Sequence, residues 1–231
     1  MKLAALLFDV TDTLIELAED VGTPYARVAA RHGVHVPADA LSASFRRILK
    51  SADDRVFPGL PTEAIPDAER DWWRARVRET FALAAPEAPF ANFEAFFGEL
   101  FAHYKGAEAW RLCPGTRPAL ENARRAGLRL GVVSNFDYRL PDILQALEID
   151  QFLETTTHPA NCGFAKPSAA IFQAAARALN LAPSQCAFVG HDPRLDLAGA
   201  RAAGLSLVDM ETAADEQRFS ACLEGLAKLP S

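Results

Sequence analysis

The sequence lacks paired cysteines, an excess of basic residues and any long apolar run. Its four cysteines are scattered among 231 residues without a Cys-x-x-Cys pair, which is typical of reduced thiols in the cytosol. The net charge of −6 argues against nucleic acid as a partner, because such proteins carry basic patches. No apolar stretch reaches the ~18 residues of a membrane span, and the first residues lack a signal-peptide layout. We therefore expect a cytoplasmic protein with no membrane or nucleic-acid partner.

A short apolar run at the start of the chain carries much of the remaining information. Hydrophobic residues make up 50% of the sequence and charged residues 23%, as in an ordinary folded globule. Residues 3–8 are apolar, and the run stops at the acidic segment DVTDTL, residues 9–14. Such a run indicates a buried parallel strand. We expect it to place Asp9 at the carboxyl edge of a sheet, where α/β folds bind ligands.

The rest of the chain divides into a helical block and an alternating region. Residues 15–105 show no strand pattern, and helices are predicted from 23, over 39–49, from 66 and over 90–104. From residue 114 strands and helices alternate up to a closing helix over 215–226, which predicts a parallel sheet. The predicted fold is therefore α/β: a Rossmann-like parallel sheet flanked by helices, residues 1–14 and 106–231, with an inserted helical cap subdomain, residues 15–105.

Polar residues follow four of the predicted strands or their loops. Because the carboxyl ends of parallel strands meet at one edge of the sheet, we expect these side chains to converge. The candidate residues are Asp9, Thr11, Asp12, Thr13, Ser134, Asn135, Lys166, His191, Asp192 and Asp196.

In this order the four groups resemble the motifs of the haloacid dehalogenase superfamily. Its DxDGTL motif is matched by DVTDTL at 9–14, and its strand ending in Ser or Thr by VVSN at 132–135. The motif lysine corresponds to Lys166, and the final acidic cluster to VGHDPRLD at 189–196. The helical block resembles the C1-type cap that one subclass inserts after the first motif.

The resemblance implies a chemistry for each matched residue. Asp9 would be the nucleophile that forms an aspartyl phosphate, while Ser134 and Lys166 would bind the phosphoryl oxygens. Thr13 and Asn135 would also belong to the substrate-binding set. The implied cofactor is Mg²⁺, a cation that prefers oxygen ligands. Its implied ligands are Asp9, the backbone carbonyl of Thr11, Asp192 and Asp196.

Two positions depart from the family pattern. In the phosphatases of the family, the residue two beyond the nucleophile is the Asp that protonates the leaving group, and here it is Thr11. A hydroxyl cannot shuttle protons at neutral pH as a carboxylic acid does, and positioned acid–base catalysis contributes ~10²–10⁴-fold. Asp12, where the family usually has Gly, is either a substitute acid or a loop residue.

The second departure lies in the fourth motif. Counting forward from Val189 places His191 at the position of the first motif acid, whereas counting back from Asp196 places Asp192 there. Magnesium prefers oxygen to imidazole nitrogen, which favours Asp192 as the ligand with Asp196 in support.

Three functions fit this sequence. The favoured one is a weak magnesium-dependent phosphatase of a small phosphorylated metabolite, acting as a monomer or homodimer. The others are a non-catalytic binding or regulatory protein and a metal-independent 2-haloacid dehalogenase, whose halide leaves without a proton. The cap is expected to select the substrate. Its basic residues either form a solvated helix face or contact a second anionic group; they are Arg46, Arg47, Lys50 and Arg55.

Overall fold

A five-stranded parallel sheet lies at the centre of the molecule in the computed structural model, which describes residues 3–87 and 89–209. The described strands are β1 (Ala5–Phe8), β2 (Ile15–Leu17), β3 (Trp110–Leu112), β4 (Arg129–Val133), β5 (Thr155–Thr157), β6 (Cys186–Gly190) and β7 (Ser206–Asp209). The order across the sheet is β5-β4-β1-β6-β7, so β1 is central. Its Leu7 stands opposite Gly131 of β4 and Phe188 of β6.

Helices cover both faces of this sheet, and the first four helices of the chain form a separate layer. In chain order the described helices are α1 (Gly22–Arg31), α2 (Ala38–Lys50), α3 (Ile65–Ala84), α4 (Phe93–His103), α5 (Thr116–Arg125), α6 (Leu140–Ala146), α7 (Pro159–Cys162), α8 (Ala169–Ala178) and α9 (Ala198–Ala203). A π-helical turn, Pro193–Leu197, precedes α9. No described helix is long and apolar enough to cross a membrane. The predicted helix over 215–226 lies outside the described residues.

The apolar character of β1 follows from its burial on both faces. Side chains alternate along a strand, so Leu6 and Phe8 pack in one core cluster, with Leu120 of α5 among its members. Leu7 packs on the opposite face with Phe172 of α8. Each such buried side chain contributes ~1.5–3 kcal/mol. The predicted fold class is confirmed.

Local signals explain where several helices begin. Pro66 lies in the first turn of α3, where its missing N–H has no intrahelical partner to lose. The Asn92 side chain accepts a hydrogen bond from the Ala95 N–H at 3.0 Å and caps α4. Ser168 caps α8 in the same way through the N–H of Ala170. Helices α3 and α4 therefore begin within a few residues of the predicted positions.

Helices α1–α4, called the cap below, are joined to the sheet by a small antiparallel ribbon. Strand β2 precedes the four helices in the chain and β3 follows them. The two strands pair with each other, and Ile15 lies opposite Leu112. The expectation that residues 15–105 contain no strand was wrong at Ile15–Leu17, because a three-residue strand is too short to display alternation. The cap has its own aromatic core that includes Phe81, Phe96 and Phe97. The division at residues 15 and 105 stays a prediction.

One arginine of the cap reaches the loop after β4. Arg55, in the connection between α2 and α3, donates from Nη2 to the backbone oxygen of Asn135 at 2.6 Å. Its Nε lies 3.5 Å from Oε1 of the fully buried Glu69 on α3. The other oxygen of Glu69 accepts from the Tyr138 N–H at 2.8 Å. The Arg55 side chain is therefore largely buried and does not belong to a solvated basic face. Its polar contacts help to hold the cap to the core.

A second contact uses the same loop. Trp73 of α3 donates from Nε1 to Oδ2 of Asp137 at 2.7 Å, and Arg139 donates to both oxygens of that carboxylate. Burial raises the pKa of Asp137, but the Arg139 guanidinium outweighs this effect and the pKa lies at about 2. Asp137 therefore remains ionised and joins the cap to the core at neutral pH.

Glu69 makes the stability of the protein depend on pH. Burial raises its pKa from 4.5 to about 7, although the Tyr138 N–H and Arg55 oppose the shift. Between these values the native state holds a proton that the unfolded state has lost, so the free energy of unfolding falls as pH rises, by ~3 kcal/mol in all. We expect Glu69→Gln to remove most of this dependence in urea unfolding measured between pH 4.5 and 8.

Glu63→Gln is the matched control, because Glu63 is exposed just before the same helix. It should show the pH dependence of the wild type. Parallel pH profiles for Glu69→Gln and the wild type would contradict the account.

Candidate active site

The end of the central strand places Asp9 at the edge of the sheet. The Asp9 N–H donates to the backbone oxygen of Val189 at 2.8 Å, which continues the sheet pairing one residue past β1. The side chain is only 6% exposed. A carboxylate held in this way has a fixed direction and little water around it, which suits a nucleophile.

Lys166 lies between two carboxylates. Its Nζ donates to Oδ1 of Asp9 and to Oδ1 of Asp196, both at 2.6 Å, and all three side chains are buried. Burial raises the pKa of Asp9; the Lys166 ammonium opposes that shift and Asp196 adds to it. Burial lowers the pKa of Lys166, but the two carboxylates outweigh this effect and the net shift is upward. The group carries one net negative charge when both acids are ionised.

Asn135 holds the backbone of Lys166. Its Oδ1 accepts from the Lys166 N–H at 2.6 Å, and its Nδ2 donates to the Lys166 backbone oxygen at 2.9 Å. Both ends of the amide are therefore used on one residue. Asn135, predicted to bind substrate, instead contacts and positions the backbone of Lys166.

Asp196 and Asp192 organise the loop after β6. Oδ2 of Asp196 accepts from the N–H groups of His191 and Asp192, both at 3.1 Å. Oδ1 of Asp192 accepts from the N–H groups of Arg194 and Leu195 at 2.8 and 2.6 Å and caps the π-helical turn. The hydrogen bond from Leu195 is the main reason that the pKa of Asp192 is lowered.

Ligand atoms of three side chains, Asp9, His191 and Asp196, lie within 4.8 Å of one another. His191 Nδ1 is 4.0 Å from Oδ2 of Asp9 and 3.2 Å from Oγ1 of Thr13. Of the two alternatives in the fourth motif, the structure brings His191 beside Asp9, while the Asp192 carboxylate caps the turn. Thr13 is buried, and its hydroxyl donates to Oδ2 of Asp9 at 3.4 Å.

The donor set fits a magnesium ion in charge and in oxygen content. Magnesium commonly binds one or two carboxylates and completes its shell with water and substrate oxygens. Asp9 and Asp196 supply such carboxylates, and a carboxylate oxygen that accepts one hydrogen bond keeps a further lone pair. The imidazole of His191 is the poorer donor for this ion.

Thr11 and Asp12 lie in a tight turn at the mouth of the site. The Asp12 N–H donates to the Ile15 backbone oxygen at 2.8 Å, and Asp12 has a φ of 59°. Aspartate tolerates this left-handed conformation better than most residues. The Asp12 side chain is exposed, and both residues border the same cavity as Asp9.

A cavity of about 440 Å³ lies between this polar group and the cap. Asp9, Ser134 and Lys166 line its floor, and the Ser134 hydroxyl accepts from the Phe136 N–H at 3.3 Å. Half-buried rings also line this cavity and are called the aromatic wall below: Phe45, Trp73, Phe101, Tyr104, Trp110 and Phe136. Helical periodicity in a sequence does not distinguish aromatic residues that line a cavity from those that only pack between helices.

Comparisons with known proteins agree with this fold and motif set. The haloacid dehalogenase-like hydrolase family profile matches residues 3–204. The human haloacid dehalogenase-like hydrolase domain-containing protein 3 is 33% identical, over 89% of this chain and 80% of the relative.

Two solved structures share the fold at low identity. A dehalogenase structure is 22% identical with a TM-score of 0.66, covering 99% of this chain and 98% of the other. A magnesium-bound structure of a Bacillus subtilis protein named as a HAD-hydrolase, YfnB, is 17% identical with a TM-score of 0.68, covering 94% and 92%. The family match and the human relative establish that this chain belongs to the haloacid dehalogenase-like hydrolase family.

Proposed function

We propose that the protein is a phosphatase that transfers a phosphoryl group to Asp9 and then hydrolyses the aspartyl phosphate. The observation that supports this most directly is the position of Lys166 Nζ, 2.6 Å from Asp9 at the floor of the cavity. A buried ammonium there offsets the repulsion between an anionic nucleophile and an anionic phosphate, which is large where water is excluded.

The remaining residues of the site have separate roles in this proposal. Ser134 and Lys166 bind the phosphoryl oxygens, Asn135 positions Lys166, and Thr13 orients the Asp9 carboxylate. Asp9 attacks phosphorus, and the electrons of the broken bond leave with the substrate oxygen. Water then attacks the aspartyl phosphate and regenerates Asp9.

Magnesium is the proposed cofactor. The ligands predicted from the motifs are Asp9, the backbone carbonyl of Thr11, Asp192 and Asp196. Asp9, the Thr11 carbonyl and Asp196 would hold the ion. Asp192 would add only the oxygen that its turn leaves free, because its Oδ1 accepts from two backbone N–H groups of that turn. When bound, it supplies positive charge that lowers the repulsion between nucleophile and phosphate.

A second candidate is hydrolysis of a carbon–halogen bond. Thr11 favours it, because a halide departs without a proton and needs no acid at that position. In that reaction Asp9 attacks carbon, halide leaves with the bonding electrons, and water hydrolyses the resulting ester. Asp192 and Asp196 count against it, because the reaction needs no metal and these predicted metal ligands would then have no role in it.

Removal of the metal separates the two candidates. We expect a chelator to lower hydrolysis of an aryl phosphate at least ~10-fold, with recovery when Mg²⁺ is restored and no release of halide from a 2-haloacid. Halide release that is insensitive to chelator, without phosphate hydrolysis, would favour the second candidate.

Replacement of the nucleophile tests the covalent mechanism. Asp9→Asn keeps the shape of the side chain but removes its nucleophilic oxygen, so we expect magnesium-dependent aryl phosphate hydrolysis to fall at least ~10³-fold. Asp39→Asn, an exposed carboxylate on α2, is the matched control and should retain wild-type rates. Activity that survives in Asp9→Asn would exclude this mechanism. An inactive wild-type protein would support a binding role.

Introduction of the missing acid tests the role of position 11. We expect Thr11→Asp to raise phosphatase activity by ~10-fold or more, because it restores a group able to protonate the leaving oxygen. Thr11→Asn has nearly the same size without the acid and should give no gain. If both variants match the wild type while still binding magnesium, Asp12 or solvent already serves as the acid.

A further inference from the structure

The two sides of the cavity differ sharply in chemistry. Its floor carries the groups that would hold a phosphoryl unit, Asp9, Ser134 and Lys166. Most of the remaining lining is apolar and comes largely from the cap: the aromatic wall together with aliphatic residues such as Leu49 and Val77. A substrate phosphate on the floor therefore points its leaving group at an apolar surface.

The rings of the aromatic wall are held by one another. Phe45 and Trp73 stack at a centroid distance of 6.5 Å with their planes 5° apart. Trp110 makes edge-on contacts with Tyr104 at 6.4 Å and with Phe136 at 5.2 Å. Such a surface is largely preformed, and flat aromatic ligands stack on it at low entropic cost.

The charged side chains that also line this side are engaged with protein partners. Arg139 is paired with Asp137 at 2.6 Å, and Arg55 donates to the Asn135 backbone oxygen at 2.6 Å. Burying a sugar or other polyhydroxylated group here would strip water from its hydroxyls, at a cost for each one left without a hydrogen bond. The wall thus favours an apolar leaving group.

The residue at position 11 further limits the kinds of leaving group that the site can expel. Thr11 cannot protonate a departing oxygen as a carboxylic acid would, which favours a group that leaves as a stable anion. A phenol has a pKa near ~10, whereas an aliphatic alcohol resembles water, at ~16. A phenolate therefore departs without help much faster than an alkoxide.

We propose that the substrate is the phosphate monoester of an apolar aromatic alcohol of one or two rings, a proposal that rests on the phosphatase function above. Asp9 forms a bond to phosphorus while the bond from phosphorus to the aryl oxygen breaks. The phenolate leaves with the electron pair and takes a proton from water. Water then releases inorganic phosphate from Asp9.

Three phosphate esters test separately the two properties that this proposal gives the leaving group, its apolar size and its acidity. Phenyl and 2-naphthyl phosphate have leaving groups of similar acidity and different apolar size, and we expect kcat/KM to be ~10-fold higher for the larger. Cyclohexyl phosphate resembles phenyl phosphate in size but must expel an alkoxide, and we expect it to be slower by ~100-fold or more.

A variant of the cavity tests whether this preference comes from the apolar side. Leu49→Gln should reduce the ratio of naphthyl to phenyl kcat/KM to near 1, mainly through KM. Leu83→Gln is the matched control, because Leu83 is 41% exposed on α3 and is not among the cavity-lining residues. It should keep the wild-type ratio.

Binding to Asp9→Asn gives a readout that does not need turnover. We expect 2-naphthyl phosphate to change tryptophan fluorescence at a lower concentration than glycerol 3-phosphate does, since Trp73 and Trp110 line the cavity. Asp9-dependent hydrolysis that favours glycerol 3-phosphate, or ignores ring size, would overturn this proposal and leave the phosphatase function standing. No hydrolysis of any phosphate ester would overturn both.

Discussion

The ammonium of Lys166 between Asp9 and Asp196 is the interaction on which the site depends. Two buried carboxylates so close together repel each other, and the ammonium between them offsets that repulsion. Loss of one partner of a buried pair costs ~3–5 kcal/mol. The three residues come from the end of β1, the loop before α8 and the turn after β6, so this contact also joins distant parts of the chain.

Other contacts extend outward from that lysine. Asn135 holds its backbone, Arg55 of the cap binds the backbone of Asn135, and Glu69 lies beside Arg55. Asp9 and the cap are therefore connected by one series of hydrogen bonds and ion pairs. This series links the cap to the polar residues that line the cavity.

The sequence was informative where residues act through their immediate neighbours. The apolar run before Asp9 predicted a buried central strand, and the strand ends predicted the edge where Asp9, Ser134 and Lys166 meet. It was uninformative where contacts join distant segments. Nothing in the irregular stretch around Arg55 distinguishes a buried arginine from a solvated one, because that stretch has no helical period.

In the fourth motif the sequence also could not predict which of two adjacent residues lies beside Asp9. Counting along the chain cannot locate His191 and Asp192, because a π-helical turn shifts the register of the loop by an amount that only its hydrogen bonds determine.

The proposed mechanism requires Asp9 to become covalently phosphorylated. The most direct measurement is acid quenching during hydrolysis of an aryl phosphate, followed by mass spectrometry of the peptides. The account predicts one phosphoryl group on the peptide that contains Asp9. A phosphoryl group on another residue, or turnover with the Asp9 peptide unmodified at every quench time, would contradict it.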